Sequence, residues 1–456
     1  MNIKVFQSDK GDCILLGSSG RHVLVDGGMA ASFAEHVAPA LAEMRIAGHR
    51  LDKVCVTHID EDHIAGILSL LEAHVQWKVH DFQHASGNPS FPEPDLPRMP
   101  EIGGFWHNSF SDMVGENAVG ISEMLASRAA LFHLSTLPEA GGIADDYSML
   151  ATSVRQAIEL RHRISAEQLG IPVNEPADGK LMLLRGRNAA PAKVGKMEFY
   201  IIGPAQEDLE RLRDEWDDWL RNHTASLAGL QREMARDEGD MGNSVGTGSW
   251  FPAAQALDAA LKLELDAEIE MRKASSGLGK RSKVTEANLA SLMFLVVERT
   301  RTRERTVLMT GDGHHLDILR GLEHINRLDQ DGNIHVNVLK VQHHGSEHNL
   351  DEEFCRRVTA DDYLFCGNGK HANPDLRVLQ AILDSRIGGP QQLSTNPAAG
   401  GPFRFWFNSH HSIVENQEAA EHMQLVEQMM DAVQAANPAR FSCEFLTGPF
   451  LELAVR

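Results

Sequence analysis

Residues 53–63 read Lys53-Val54-Cys55-Val56-Thr57-His58-Ile59-Asp60-Glu61-Asp62-His63. The first four form a short apolar run of the length and composition of a buried strand. The remaining seven carry two histidines around a run of acidic residues, and from 64 to 73 the apolar residues recur at helical spacing. Strand, loop and helix in that order place the His/Asp loop at the C-terminal end of a strand, where α/β folds build their sites. In a tight loop alternate residues share a side, so His58 and Asp60 can grip one metal ion while Asp62 and His63 reach another. Divalent transition metals take imidazole nitrogen and carboxylate oxygen, and hydrolytic sites leave one position for water. A solvated acidic loop with Asp60 or Asp62 capping the helix would explain the carboxylates but not the two flanking histidines.

Upstream, apolar stretches at 3–6, 13–16 and 22–25 are separated by turn-forming Asp-Lys-Gly-Asp and Gly-Ser-Ser-Gly clusters and end at Asp26-Gly27-Gly28, which reads as a β-meander. A helix is predicted over 32–45. Downstream, 86–104 is rich in Pro and Gly and reads as an irregular loop, followed by helices at 117–134 and 146–167 and a strand at 198–203. Acidic helices at 207–236 and 254–272 surround a Gly/Ser break at 239–248 and offer a surface for a protein partner or a second copy of the chain. Core character returns with strand-like runs at 288–297, 306–310 and 336–341, and the chain closes with a helix over 416–435 and a strand-like run over 445–455. The expected layout is therefore a core in two halves, 1–85 and 285–390. A mostly helical elaboration spans 86–284, containing one core strand, and a C-terminal helix and strand, 391–456, pack on the core.

Three further segments carry metal-type ligands: Thr310-Gly311-Asp312, His343-His344-Gly345-Ser346 and Gly369-Lys370-His371-Ala372-Asn373-Pro374. Each follows a strand-like run, so all can converge on one edge of the core. Two ions roughly 3.5–4 Å apart need a bridging anion, and Asp312 at a strand end is the candidate for it.

The net charge of −21 argues against sequence-independent wrapping of nucleic acid, which draws its affinity from many Lys and Arg contacts. A phosphate-bearing substrate stays compatible, because two divalent cations invert the local field. The five cysteines are scattered and never form C-x-x-C, which reads as reduced, mostly buried thiols. No apolar run approaches the ~20 residues of a membrane span and the start of the chain lacks a secretory pattern, so a cytoplasmic protein with no membrane association is expected.

The order Asp26-Gly27-Gly28, the 58–63 cluster, Asn288-x-x-Ser291, Gly311-Asp312, His343-His344-Gly345-Ser346 and His371-x-Asn-Pro resembles the ComEC-like hydrolases of the metallo-β-lactamase fold. Asp60, where the commoner cluster has His, resembles teichoic acid phosphorylcholine esterase. The resemblance covers 1–80 and about 285–375 well and the middle weakly. It implies an αββα sandwich with a largely helical middle insertion. It also implies two divalent ions, one held by His58, Asp60 and His344 and the other by Asp62, His63 and His371, with Asp312 between them. Zinc is the first expectation, with manganese or iron as alternatives because Asp60 adds a hard oxygen.

The doublet leaves open which imidazole is the ligand; His344 is preferred, with His343 left to contact substrate or leaving group. Asp312, Asp62 and His343 are the residues expected closest to the chemistry. Asp26, Asn288 and Ser291 are expected behind the ligands, orienting the loops. The implied activity is hydrolysis of a phosphodiester, in nucleic acid, a nucleotide or a phosphorylcholine-type ester, by a metal-bridging hydroxide. Thioester or lactam hydrolysis and a metal-stabilised binding subunit of a larger assembly are the alternatives. His314 and His315 read as a helix start, His84 and His107 as loop residues, His410 and His411 as lacking supporting context, and Trp77, Trp106, Trp216 and Trp219 as packing. The basic run 272–283 reads as a surface loop.

Overall fold

The computed structural model describes residues 1–109, 140–211, 278–279 and 290–456. The predicted helix at 117–134, most of those at 207–236 and 254–272, Asn288, Trp216, Trp219 and nearly all of the basic run lie outside them.

Among the described residues the strands are β1 (Asn2–Phe6), β2 (Ile14–Ser18), β3 (Arg21–Val25), β4 (Lys53–Val56), β5 (Phe105–His107), β6 (Ala192–Val194), β7 (Met197–Gly203), β8 (Met293–Arg299), β9 (Glu304–Met309), β10 (Ile334–Lys340), β11 (Val358–Phe365), β12 (Phe403–Phe407), β13 (Phe441–Phe445) and β14 (Phe450–Ala454). They form two sheets, in the orders β14-β1-β2-β3-β4-β5 and β13-β12-β11-β10-β9-β8-β7-β6. The single run predicted at 445–455 thus holds all of β14 but only the last residue of β13, which begins at Phe441, and the two strands close different sheets.

Alternation along the strands builds the layers. Ile3, Val5, Ile14, Leu16, Val23, Val25, Cys55 and Trp106 of the first sheet share a buried cluster with Phe199, Phe294, Val296, Val307, Val338 and Leu364 of the second. The intervening residues Leu15, Leu24, Val54, Val56 and Phe105 face the other way, onto the helices Glu61–Ala85 and Ala140–Ile164. Ile64, Ile67, Leu70 and Leu71 supply the apolar stripe of the first of these helices, and Val154, Ala157, Leu160 and Ile164 that of the second. On the far side of the second sheet, Leu295, Leu308, Val336, Leu339 and Phe365 pack against the helices His315–His324, Leu376–Ile387 and Gln417–Ala436. Helices outside and two sheets inside make a mixed α/β architecture consistent with the metallo-β-lactamase fold.

Strand direction places the site. β3, β4 and β5 run parallel, as do β9 through β13. The loops leaving β3, β4, β9 and β10 therefore emerge on one edge. β2 and β8 are antiparallel to β3 and β9, so the residues just before them, Asp12 and Ser291, reach the same edge. A hydrogen bond from Leu292 N to Thr57 O, 2.8 Å, joins the two sheets there.

The helix after the His/Asp loop is seated by glycine on glycine. Gly27 N donates to His63 O and Gly66 N to Gly28 O, both 2.9 Å, and a Cβ at Gly66 would stand 2.0 Å from the Gly27 carbonyl oxygen. On helix propensity alone, Gly66→Ala should stabilise this helix by about 1 kcal/mol. The close approach reverses the sign: Gly66→Ala is expected to lose about 2–3 kcal/mol in urea unfolding. Gly186→Ala, with nothing within 4 Å, is the control and stays within about 0.5 kcal/mol of the parent.

Candidate metal centre

Asp312 follows β9 and is 2% exposed. Its Oδ2 lies 3.5 Å from His63 Nε2, 3.5 Å from His344 Nε2, 3.7 Å from His58 Nε2 and 3.7 Å from His343 Nε2. Asp60 Oδ2 is 3.6 Å from His58 Nε2, and Asp62 Oδ2 is 3.2 Å from His344 Nε2. His58, His63 and Asp312 are all buried, and their ligand atoms fall within 4.8 Å of one another.

Each imidazole has its other nitrogen committed. The Thr57 hydroxyl donates to Asp26 Oδ2 at 2.7 Å, so at 3.0 Å from His58 Nδ1 it can only accept. His63 Nδ1 donates to Asp26 Oδ2 at 2.9 Å, and His344 Nδ1 to the Cys366 carbonyl at 2.5 Å. His343 Nδ1 donates to Asn349 Oδ1 at 2.7 Å, while the Asn349 amide donates to the Asp312 and Gly313 carbonyls. All four rings therefore turn Nε2 toward one carboxylate oxygen. Among the described residues the Nε2 atoms of His58, His63 and His344 are buried with no hydrogen-bond partner. Buried polar atoms are normally satisfied, and these three are aimed at one volume. Separations of 3.5–3.7 Å are long for hydrogen bonds but close to the roughly 3.3 Å between two ligands that each sit ~2.0 Å from a shared tetrahedral ion. The residues present fit divalent metal ions.

Asp60 caps the helix Glu61–Ala85 by position, yet its side chain makes no capping hydrogen bond. The capping explanation of the acidic loop does not hold, and the carboxylate is free to turn toward His58. Asp26, His343 and His344 have φ of 56°, 46° and 54°. Left-handed backbone at non-glycine residues costs about 1 kcal/mol or more each and persists where surrounding contacts fix it, a pattern concentrated at functional sites.

Ser291 Oγ accepts from Asp312 N at 3.3 Å, so this residue holds the backbone of the central aspartate. His371 is exposed, on the turn Lys370–Ala372. Within the cluster His63 neighbours His58, their ring centroids 4.1 Å apart, and His344 neighbours Asp62. His314 accepts from Leu316 N as the cap of its helix, and Trp106 packs between the sheets. His107 is buried at the end of β5, where burial pushes its pKa down to about 4.

Four residues unmarked in the sequence belong to the site: Thr57 and Asn349, described above, and Asp12 and Lys340. Asp12 Oδ1 is 3.3 Å from His344 Nδ1, and its Oδ2 is paired with the wholly buried Lys340 ammonium. Lys340 also donates to the Gly311 carbonyl at 3.1 Å and stands 3.5 Å from Asp312 Oδ1.

The field at this edge is strongly negative. Burial opposes charge on every group here, yet His63, His344, His343 and Lys340 together hold the Asp312 carboxyl well below the usual range. Burial is likewise outweighed at His63, which Asp312 and Asp26 raise well above an ordinary imidazole, and at His344, which Asp312, Asp12 and Asp62 push up to about 10.

Two consequences are measurable. Both raised imidazoles carry a proton at neutral pH in the ion-free protein, and an ion must displace it. Zn²⁺ uptake at pH 7 is expected to expel about two protons, with affinity climbing as pH rises toward 10; calorimetry in buffers of different ionisation enthalpy reads this, and uptake without proton release would contradict it. Asp26→Asn, which removes the carboxylate behind His63, is expected to weaken ion binding by roughly 10–100-fold in a chelator competition while the fold is retained.

No curated protein matches the chain. Residues 9–101, the stretch containing Asp12, Asp26 and the whole His58–His63 loop, match the family model of the metallo-beta-lactamase superfamily, whose members are mostly metal-dependent hydrolases.

Proposed function

We propose that the chain is a dinuclear metal-dependent hydrolase acting on phosphodiesters. The observation that carries the reading is the buried Asp312 carboxylate with the Nε2 atoms of His58, His63, His343 and His344 turned to one of its oxygens. His58, Asp60, Asp62, His63, Asp312 and His344 are the ligands supplied at this edge, with His371 joining from its exposed turn. Divalent ions held there supply Lewis acidity toward a phosphoryl oxygen and lower the pKa of water.

The chain's own groups do the rest. Asp26 and Thr57 hold the tautomers of His63 and His58, so the ligand nitrogens need no reorganisation. His343, whose side chain is 28% exposed, is the doublet member nearer the solvent. Asn349 fixes its Nδ1–H, and burial keeps its pKa below the ordinary imidazole value, which leaves a neutral Nε2 able to accept a proton beside the reacting group. Lys10, 3.6 Å from Glu61 in the ligand loop, puts a cationic side chain beside the site, where it would attract an anionic ester. The aspartate-rich ligand set and the ComEC-like order of motifs favour phosphorus over a thioester or lactam carbonyl.

Elemental analysis of protein purified without added metal, paired with hydrolysis of bis-p-nitrophenyl phosphate, tests this. About two ions per chain are expected, with turnover in the parent and a fall of roughly a thousand-fold in Asp312→Ala. Bound metal with faster turnover of a thioester would transfer the reading to acyl chemistry. Bound metal with neither activity would make the chain a binding subunit.

A further inference from the structure

Lys340 is the feature that the metal centre does not by itself explain. A lysine is rarely buried completely, and this one ends β10 with its side chain 0% exposed, three residues before His343. Its ammonium meets three oxygens: the Asp12 carboxylate, the Gly311 carbonyl at 3.1 Å and Asp312 Oδ1 at 3.5 Å. Asp312 is thereby divided, with Oδ1 toward Lys340 and Oδ2 toward the four imidazoles. Asp12 is divided in the same way, one oxygen toward Lys340 and the other 3.3 Å from His344 Nδ1.

We propose that Lys340 is a resident internal cation, a positioning residue that assembles the site before any metal arrives. It presents Asp312 to the ions by a single oxygen and steadies the Asp12 carboxylate behind His344. This rests on the metal-centre reading of the cluster. The physical need is plain from charge. Asp12, Asp26, Asp60, Asp62 and Asp312 converge on one edge, and three of them, Asp12, Asp26 and Asp312, are less than a tenth exposed. Without a counter-charge such a group would repel itself apart or fill with protons. Lys340 meets the Asp312 oxygen that the imidazoles do not, so it offsets the carboxylates without occupying a ligand position. The arrangement implies a trade: the same charge that holds the ion-free site together repels the dications it prepares for.

That trade gives the test an unusual sign. In Lys340→Met the ion-free protein is expected to melt several degrees lower, because Asp12 and Asp312 lose their partner. The variant is nevertheless expected to bind Zn²⁺ or Mn²⁺ at least about ten-fold more tightly than the parent in a chelator competition, since a positive charge near the ions has gone. Asp12→Asn, which removes a negative charge instead, is expected to weaken binding. The double variant, with charge restored, should bind more tightly than Asp12→Asn and return to within about three-fold of the parent, because the two charge changes offset one another, whereas lost packing alone would weaken binding in all three variants. Should Lys340→Met fail to fold without metal, Asp12→Asn and the double variant still decide the matter through their affinities. Equal or weaker binding by Lys340→Met, or a double variant that binds no more tightly than Asp12→Asn, overturns the proposal. Parent protein that takes up neither ion overturns the metal-centre reading beneath it.

Discussion

The concentration of negative charge at one buried edge is the constraint on which the rest of the structure depends. Asp312 sits with both of its oxygens among cationic or metal-type groups: Oδ2 faces four imidazoles and Oδ1 faces an ammonium. Carboxylates so placed are costly unless every one has a partner, and the local structure is organised to provide them. Asp26 is satisfied by Thr57 and His63, while Asp12 pairs one oxygen with Lys340 and sets the other 3.3 Å from His344 Nδ1. Both carboxylates come from the first 26 residues, while the two imidazoles they stand behind, His63 and His344, come from opposite halves of the sequence and are brought by the fold to the same oxygen.

That convergence follows from strand direction. The two sheets contribute parallel strands whose C-terminal ends meet on one edge, so Asp26, the His58–His63 loop, Asp312 and His343-His344 each arrive at the end of a strand. Rigid elements carry the ligands, and the cross-links between them are backbone or buried: Gly27 to His63, Leu292 to Thr57, His343 to Gly311. The left-handed backbone at Asp26, His343 and His344 is tolerated because these cross-links leave the chain little choice.

Much of this was legible from residues 53–63 and the short motifs after β9 and β10, because metal ligands are drawn from few residue types and recur at the ends of apolar strands. The strand Lys53–Val56 is legible from its apolar run and the C-terminal helix Gln417–Ala436 from its helical spacing, both nearly to the residue. What escaped was hidden by ordinary appearance. Lys340 looks like the polar end of a strand, and Asp12 like part of an Asp-Lys-Gly-Asp turn; only the packing shows them buried and paired. β11 escaped because Asp361 and Asp362 interrupt its apolar run, although Asp362 is satisfied by Arg404 and the Trp406 indole of the neighbouring strand. β5 is three residues long, too short to show a period, and the run after 445 hides a change of sheet between Phe445 and Phe450 that hydropathy cannot register. Helix propensity also misjudges Gly66, whose reason lies across the interface in Gly27.

The central claim is that Asp312 Oδ2 marks the midpoint of a metal centre, and crystallography of metal-soaked protein with anomalous data collected at the zinc and manganese edges tests it most directly. Two anomalous peaks roughly 3.5–4 Å apart, flanking Asp312 and within bonding distance of His58, His63 and His344, are the expected result. Anomalous signal confined to a separate group of ligand-type side chains, His410, His411 and Glu427, with none beside Asp312, would contradict it.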